Sequence, residues 1–189
     1  MNKMPHFNNF GEYLYYAYAN LQVLMYALNC EKSTYDTDCY KVRAKAFKAY
    51  KEGVWKIHDL MQNNVAKMRS GNFCWYCGEE FEDASELTID HIFPRSKGGG
   101  NEADNIFLVC KHCNSSKRDM DLFEWFMTVR EEFPPIHILV HYLKNIYFYA
   151  LKNELLGKHR EELDAMNLPF NYRYIPLEYP DPEYFLYDE

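Results

Sequence analysis

Two short cysteine pairs constrain this chain more than any other feature in it. Cys74-Trp75-Tyr76-Cys77 and Cys110-Lys111-His112-Cys113 are C-x2-C turns separated by 32 residues. Each such turn presents two thiolates at the bite that tetrahedral zinc requires, and two turns complete its four ligands. Four cysteines leave no open coordination position. The expected site is therefore structural, tying together a segment too short to build a core of its own. Cys74, Cys77, Cys110 and Cys113 are the expected zinc ligands. His112, inside the second turn, is expected at the surface or against a phosphate rather than on the metal. Cys30 and Cys39 flank a polar stretch and make no four-ligand site, so they read as free thiols.

Length sets the frame around this centre. At 189 residues the chain suffices for one compact domain and is marginal for two. Hydrophobic residues make up 48% and charged residues 26%, which excludes disordered and collagen-like classes. Seventeen Tyr and thirteen Phe point to ring-rich helix packing or interfaces. The net charge of −7 argues at first sight against a nucleic-acid partner, but it is uneven. Residues 1–73 carry +4, residues 74–120 carry −4 and residues 121–189 carry −7. An acidic middle also suits a cation site. No apolar run reaches the 18 residues of a membrane span, because Asn20 and Gln22 interrupt the stretch Tyr13 to Leu28. With no secretory leader legible either, a cytoplasmic address is expected, and reduced cysteines with it.

The hydrophobic period predicts a buried helix from Phe7 to Cys30 and a second from about Tyr40 to Ser70, seamed by Phe47, Tyr50, Val54, Ile57, Met61, Val65 and Met68. Lys41, Lys45 and Lys48 share one exposed face of the second helix, either a solvated surface or a phosphate contact. Asp121 to Phe133 reads as a short helix stopped by Pro134-Pro135, and Ile136 to Leu156 as a third long helix with Gly157 as its cap. From Asn171 the chain is rich in Tyr, Pro and acid and is expected to be extended. Between the cysteine turns, residues 87–93 and 106–109 are apolar, β-branched runs joined by a Gly-rich loop and followed by a helix from about Lys111. The sequence thus predicts an α+β fold, predominantly helical, with a strand-strand-helix centre stapled by zinc. Its expected layout is an N-terminal helical region (1–72), a core (73–120), C-terminal helices (121–168) and a tail (169–189), together one compact domain.

Asp90-His91 falls at the end of the first strand and Asn114 at the start of the helix, so a carboxylate and an amide oxygen can meet on one hard cation such as Mg²⁺. Leu87-Thr88-Ile89-Asp90-His91, then Pro94-Arg95-Ser96-Lys97-Gly98-Gly99, then Asp104-Asn105, then Cys110-x2-Cys113-Asn114-x2-Lys117 together closely resemble the HNH endonuclease motif of the zinc-knuckle ββα-metal nucleases. The three letters are His91, Asn105 and Asn114, spaced by 14 and 9 residues, in the variant with Asn third. The resemblance covers about a quarter of the chain. It implies a metal-dependent endonuclease acting on DNA, in which His91 is the general base, Asp90 and Asn114 hold one Mg²⁺ or Mn²⁺, and Asn105 pins the loop and His91. Arg95, Lys97, Lys117 and Arg118 would contact flanking phosphates, assisted by Lys41, Lys45 and Lys48. It also implies a bacterial or phage-encoded protein. Two other readings fit the same residues. One is a zinc-stabilised module that binds nucleic acid or protein without cutting. The other is a nuclease subunit active only with a protein partner or a second copy, docked through the aromatic first helix or the C-terminal tail.

Overall fold

A computed structural model describes residues 5–57 and 71–185. The chain has an α+β fold of helices and one two-stranded sheet. It divides into two compact units. One comprises Met1–Ile57, Ile146–Met166 and Pro176–Glu189; the other comprises His58–Asn145 and Asn167–Ile175.

In the first unit, α1 spans Phe10–Asn29, opened by Asn9, whose side chain accepts from the Glu12 N–H at 2.9 Å. Phe10, Leu14, Ala17, Tyr18, Leu21 and Leu24 are fully buried. As its hydrophobic period predicts, this aromatic helix is an element of the unit's own core. α2 spans Thr37–Lys51, starting earlier than its hydrophobic period suggests because Asp36 caps it, accepting from the N–H groups of Asp38 and Cys39 at 3.0 Å. The predicted continuation to Ser70 is incorrect through residue 57. Gly53 takes a left-handed φ of +69°, and the bonds Gly53 N–H to Tyr50 O (3.1 Å) and Val54 N–H to Ala49 O (2.9 Å) close a Schellman turn. The seam residues Met61, Val65 and Met68 lie outside the described residues. Rings join the elements: Tyr16 meets Phe47 edge to face at 5.5 Å, and Tyr15 stacks on Tyr50 at 6.3 Å. Lys51 and Glu12 pair at 2.7 Å, holding the Glu12 carboxyl down at about 2.

The stretch beginning at Asn171 is less irregular than expected, with one-turn 3₁₀ segments at Tyr172–Tyr174 and Pro182–Phe185. Its part in the first unit is tied down: Leu177 O accepts from Asn20 at 2.8 Å and Pro180 O from the Tyr35 hydroxyl at 2.9 Å.

In the second unit, β1 (Leu87–His91) and β2 (Ile106–Cys110) pair antiparallel, with Leu87 opposite Cys110 and His91 opposite Ile106. α3 (Lys111–Lys117) follows β2 directly. α4 (Leu122–Trp125) is capped by Asp121 and continues as a π-turn through Phe126–Arg130. Glu131, in a left-handed conformation at φ 56°, ends it before the prolines are reached. Trp125, Phe126 and Tyr76 cluster beneath the ribbon with ring centroids 4.9 to 5.9 Å apart. No helix among the described residues is long and apolar enough to cross a membrane.

α5 spans Ile136–Lys152 and contributes residues to both units, and α6 is the single turn Arg160–Leu163. The helix from Ile136 stops short of Leu156, and Gly157 is not its cap. Glu154 is left-handed at φ 57°, with Leu155 N–H bonded to Ala150 O at 2.8 Å. A side chain in that conformation costs about 1 kcal/mol that glycine avoids. Glu154→Gly is expected to stabilise the protein by about 0.5–1 kcal/mol, read as a higher denaturation midpoint with an unchanged slope.

Candidate active site and metal centre

The first cysteine turn is built by backbone hydrogen bonds. Cys74 N–H donates to Glu79 O and Gly78 N–H to Cys74 O, both at 2.8 Å, with Gly78 left-handed at φ +74°. The second turn forms where β2 passes into α3: Cys110 is the N-cap, and its Sγ accepts from the Cys113 N–H at 3.4 Å. The four sulfurs of Cys74, Cys77, Cys110 and Cys113 lie within 4.8 Å of one another, positioned to bind one metal ion. The all-thiol donor set fits zinc in a closed structural site. Crowding divides the thiols. A hydrogen bond from Cys113 lowers Cys74 to about 4, and that same bond, with burial, pushes Cys113 up. Burial raises Cys77 to about 11. Arg130 adds a cation, Nη1 lying 3.7 Å from Cys113 Sγ while the guanidinium also pairs with Glu132 at 2.7 Å.

On β1, neighbouring side chains point to opposite faces. Asp90 is buried, and His91 stands on the face that also carries Ile89 and its partner Leu108, both exposed. Two donors meet one oxygen of Asp90: Oδ2 accepts from the Tyr76 hydroxyl at 2.6 Å and pairs with Lys117 Nζ at 2.9 Å. Burial and the adjacent Asp90 push the Tyr76 phenol far up, so it stays protonated and remains a donor. Lys117 is fully buried and donates to His91 O at 2.8 Å. This corrects its expected place among the surface cations: its ammonium is drawn inward because Asp90 and a strand carbonyl both need a donor there.

Asn105 is buried between β1 and the Gly-rich loop. Its Oδ1 accepts from Phe93 N–H at 2.8 Å, and its Nδ2 donates to Gly100 O at 2.8 Å and Phe93 O at 3.3 Å. Its own carbonyl accepts from Ile92 N–H at 3.0 Å. The loop can lie this close because residue 99 is glycine: a Cβ there would stand 1.7 Å from Phe93 O. Asn105→Ala strands buried backbone groups and is expected to cost about 2–4 kcal/mol, measured by denaturation of the metal-loaded protein.

Asn114 on α3 donates to Ile89 O at 3.3 Å, which places its amide beside the residue preceding Asp90. Arg95 and Lys97 are exposed on a 3₁₀ turn, and Arg118 is exposed at the end of α3 with φ 54°. His112 is exposed. Lys41, Lys45 and Lys48 are exposed on α2 in the other unit, where Lys41 pairs with Asp38 at 2.9 Å. Three residues near the site carry no sequence signal of their own. Tyr76 is hidden as a spacer in the first cysteine turn, Arg130 lies well downstream, and Asn101 closes the glycine run. The Asn101 side-chain oxygen sits 2.9 Å from His91 Nε2.

Residues 74–119 match the family described as HNH endonuclease. Over 111 residues the chain is 26% identical to a Bacillus subtilis (strain 168) protein named "SPbeta prophage-derived putative HNH endonuclease YoqL". That alignment covers 52% of this chain and 46% of the relative, so the chain spans about half the relative's length. No solved structure matches the chain. With its paired cysteine turns, its strand-strand-helix centre and its motif letters in register, the segment 74–119 belongs to the HNH endonuclease family.

Proposed function

We propose that the protein is a metal-dependent endonuclease that hydrolyses phosphodiester bonds in DNA, on a ββα-metal core stapled by structural zinc. The observation that carries this reading is the joint placement of Asp90, His91 and Asn114 around the end of β1, on a backbone gripped by Asn105 and Lys117. A module that only binds has no use for that set of oxygen and nitrogen donors beside a closed cysteine site.

In this reading Asp90 and Asn114 hold one Mg²⁺ or Mn²⁺. Tyr76 and Lys117 occupy Asp90 Oδ2, which orients the carboxylate and leaves Oδ1 for the cation. When bound, the metal supplies Lewis-acid stabilisation of the scissile phosphate and of charge on the leaving oxygen. His91 takes the proton of the attacking water, a task suited to imidazole near neutral pH. In-line displacement needs nucleophile and leaving group on opposite sides of phosphorus. Asn105 holds the loop and the backbone of His91. Arg95, Lys97 and Arg118 are the exposed cations available to flanking phosphates, and Lys41, Lys45 and Lys48 offer a further basic face.

The test is incubation of zinc-loaded protein with supercoiled plasmid and Mg²⁺ or Mn²⁺, beside an EDTA control. Metal-dependent nicking or linearisation is the expected result. No conversion of the plasmid by folded, zinc-loaded protein under either metal overturns the reading of an autonomous DNA endonuclease.

A further inference from the structure

The peptide group that follows His91 is held twice: Lys117 donates to His91 O and Asn105 O accepts from Ile92 N–H. Neither contact touches the imidazole. Among the described residues the ring's hydrogen-bond partner is the Asn101 side chain, Oδ1 to Nε2, at 2.9 Å. We propose that Asn101 is the positioning residue of this nuclease, fixing the rotamer and tautomer of His91 so that Nδ1 carries the lone pair that takes the proton from water.

A carboxamide oxygen only accepts hydrogen bonds, so the ring nitrogen facing it must carry hydrogen in the neutral imidazole. Nε2 is then the donor, and Nδ1 is the basic nitrogen. The same contact blocks rotation of the ring, which leaves Nδ1 aimed in one direction. In the opposite tautomer the basic nitrogen would face the amide and be withdrawn from substrate.

The loop that presents Asn101 is anchored well enough for this role. Gly100 O, immediately before it, accepts from Asn105 Nδ2 at 2.8 Å. Asp104, three residues on, is clamped by Lys144 Nζ on Oδ2 and by Asn145 Nδ2 on its backbone oxygen, both at 2.7 Å. Asn101 itself is exposed and supports no buried group in the core. Its role is therefore separable from folding, unlike that of Asn105.

The inference rests on the nuclease reading for its consequence but not for its geometry, and the test reads the two apart. In zinc-loaded protein labelled with ¹⁵N, the His91 ring of the wild type is expected to show the Nε2–H tautomer, and Asn101→Ala a mixture of the two. In plasmid cleavage, Asn101→Ala is expected to lower kcat by about ten- to a hundredfold with KM within about twofold, while zinc content and Tm stay unchanged. Asn101→Asp, which keeps an accepting oxygen, is expected to recover most of that loss. A wild-type ring protonated on Nδ1, or an Asn101→Ala variant with unchanged tautomer and kcat, overturns the proposal. Absence of wild-type cleavage alongside the expected tautomer signature overturns the nuclease reading and leaves the Asn101 contact standing.

Discussion

Replacing His91 by alanine is expected to reduce plasmid cleavage by about 10³-fold or more while leaving the protein folded and its zinc in place. A general base contributes about 10²–10⁴ to such a step, and removing it raises the barrier by about 3–5 kcal/mol. The fold has little to lose at this position. The ring is only partly buried and its hydrogen-bond partner is the exposed Asn101, while Lys117 and Asn105 grip backbone groups that alanine retains. The change in stability should stay within about 0.5–1 kcal/mol. Initial rates on supercoiled plasmid, measured beside zinc content and a thermal melt, separate the two effects. Full activity in a folded His91→Ala protein would remove His91 as the base. Lost activity together with lost zinc would mean that the ring is structural instead.

The centre of the chain is legible in the sequence because its signals are local and dense. The β-branched runs before and after the glycine loop give β1 and β2 within two residues, and the cysteine turns fall where their spacing puts four sulfurs together. Helix ends are harder. Gly53 is an ordinary C′ stop, but the apolar period running past it masks it, whereas nothing about Glu154 announces a left-handed residue. Lys117 departs from its expected place for a different reason. Lysine is a surface residue almost everywhere, and what reverses that preference here is a buried carboxylate 27 positions earlier in the chain, which no local pattern encodes. Asn101 is invisible in the same sense, since its meaning depends on a ring ten residues away that the loop folds back to meet. Spacing along the sequence singles out the groups proposed for the chemistry. The groups that orient them act across the fold, and only three-dimensional placement displays them.

Cys110→Ser should have the largest effect on the structure itself. Serine is as good an N-cap as the cysteine it replaces, so α3 keeps its cap, and any loss of structure in this variant reports the metal. Structural zinc binding is worth about 10–16 kcal/mol in small zinc domains, comparable to or larger than the whole stability of an ordinary domain, about 5–15 kcal/mol. Losing one of four ligands is therefore expected to drop zinc from about one ion per chain towards none, and to abolish the cooperative unfolding of the unit that contains β1, β2 and α3. Cys39→Ser is the contrast: that thiol belongs to the first unit, buried against Val23 and Ala27, and should cost only about 1–2 kcal/mol with zinc retained. Acid should act as the mutation does. With Cys77 and Cys113 both held above the ordinary thiol value, metal binding must expel their protons, so affinity falls as pH drops and zinc is released on acidification. Each proton expelled steepens that loss by about one decade of affinity per pH unit, so the slope of zinc retention against pH counts the thiols that the metal has to deprotonate. A Cys110→Ser protein that loses its zinc and still melts like the wild type would overturn the structural role of the metal and show that the four sulfurs gather for packing alone.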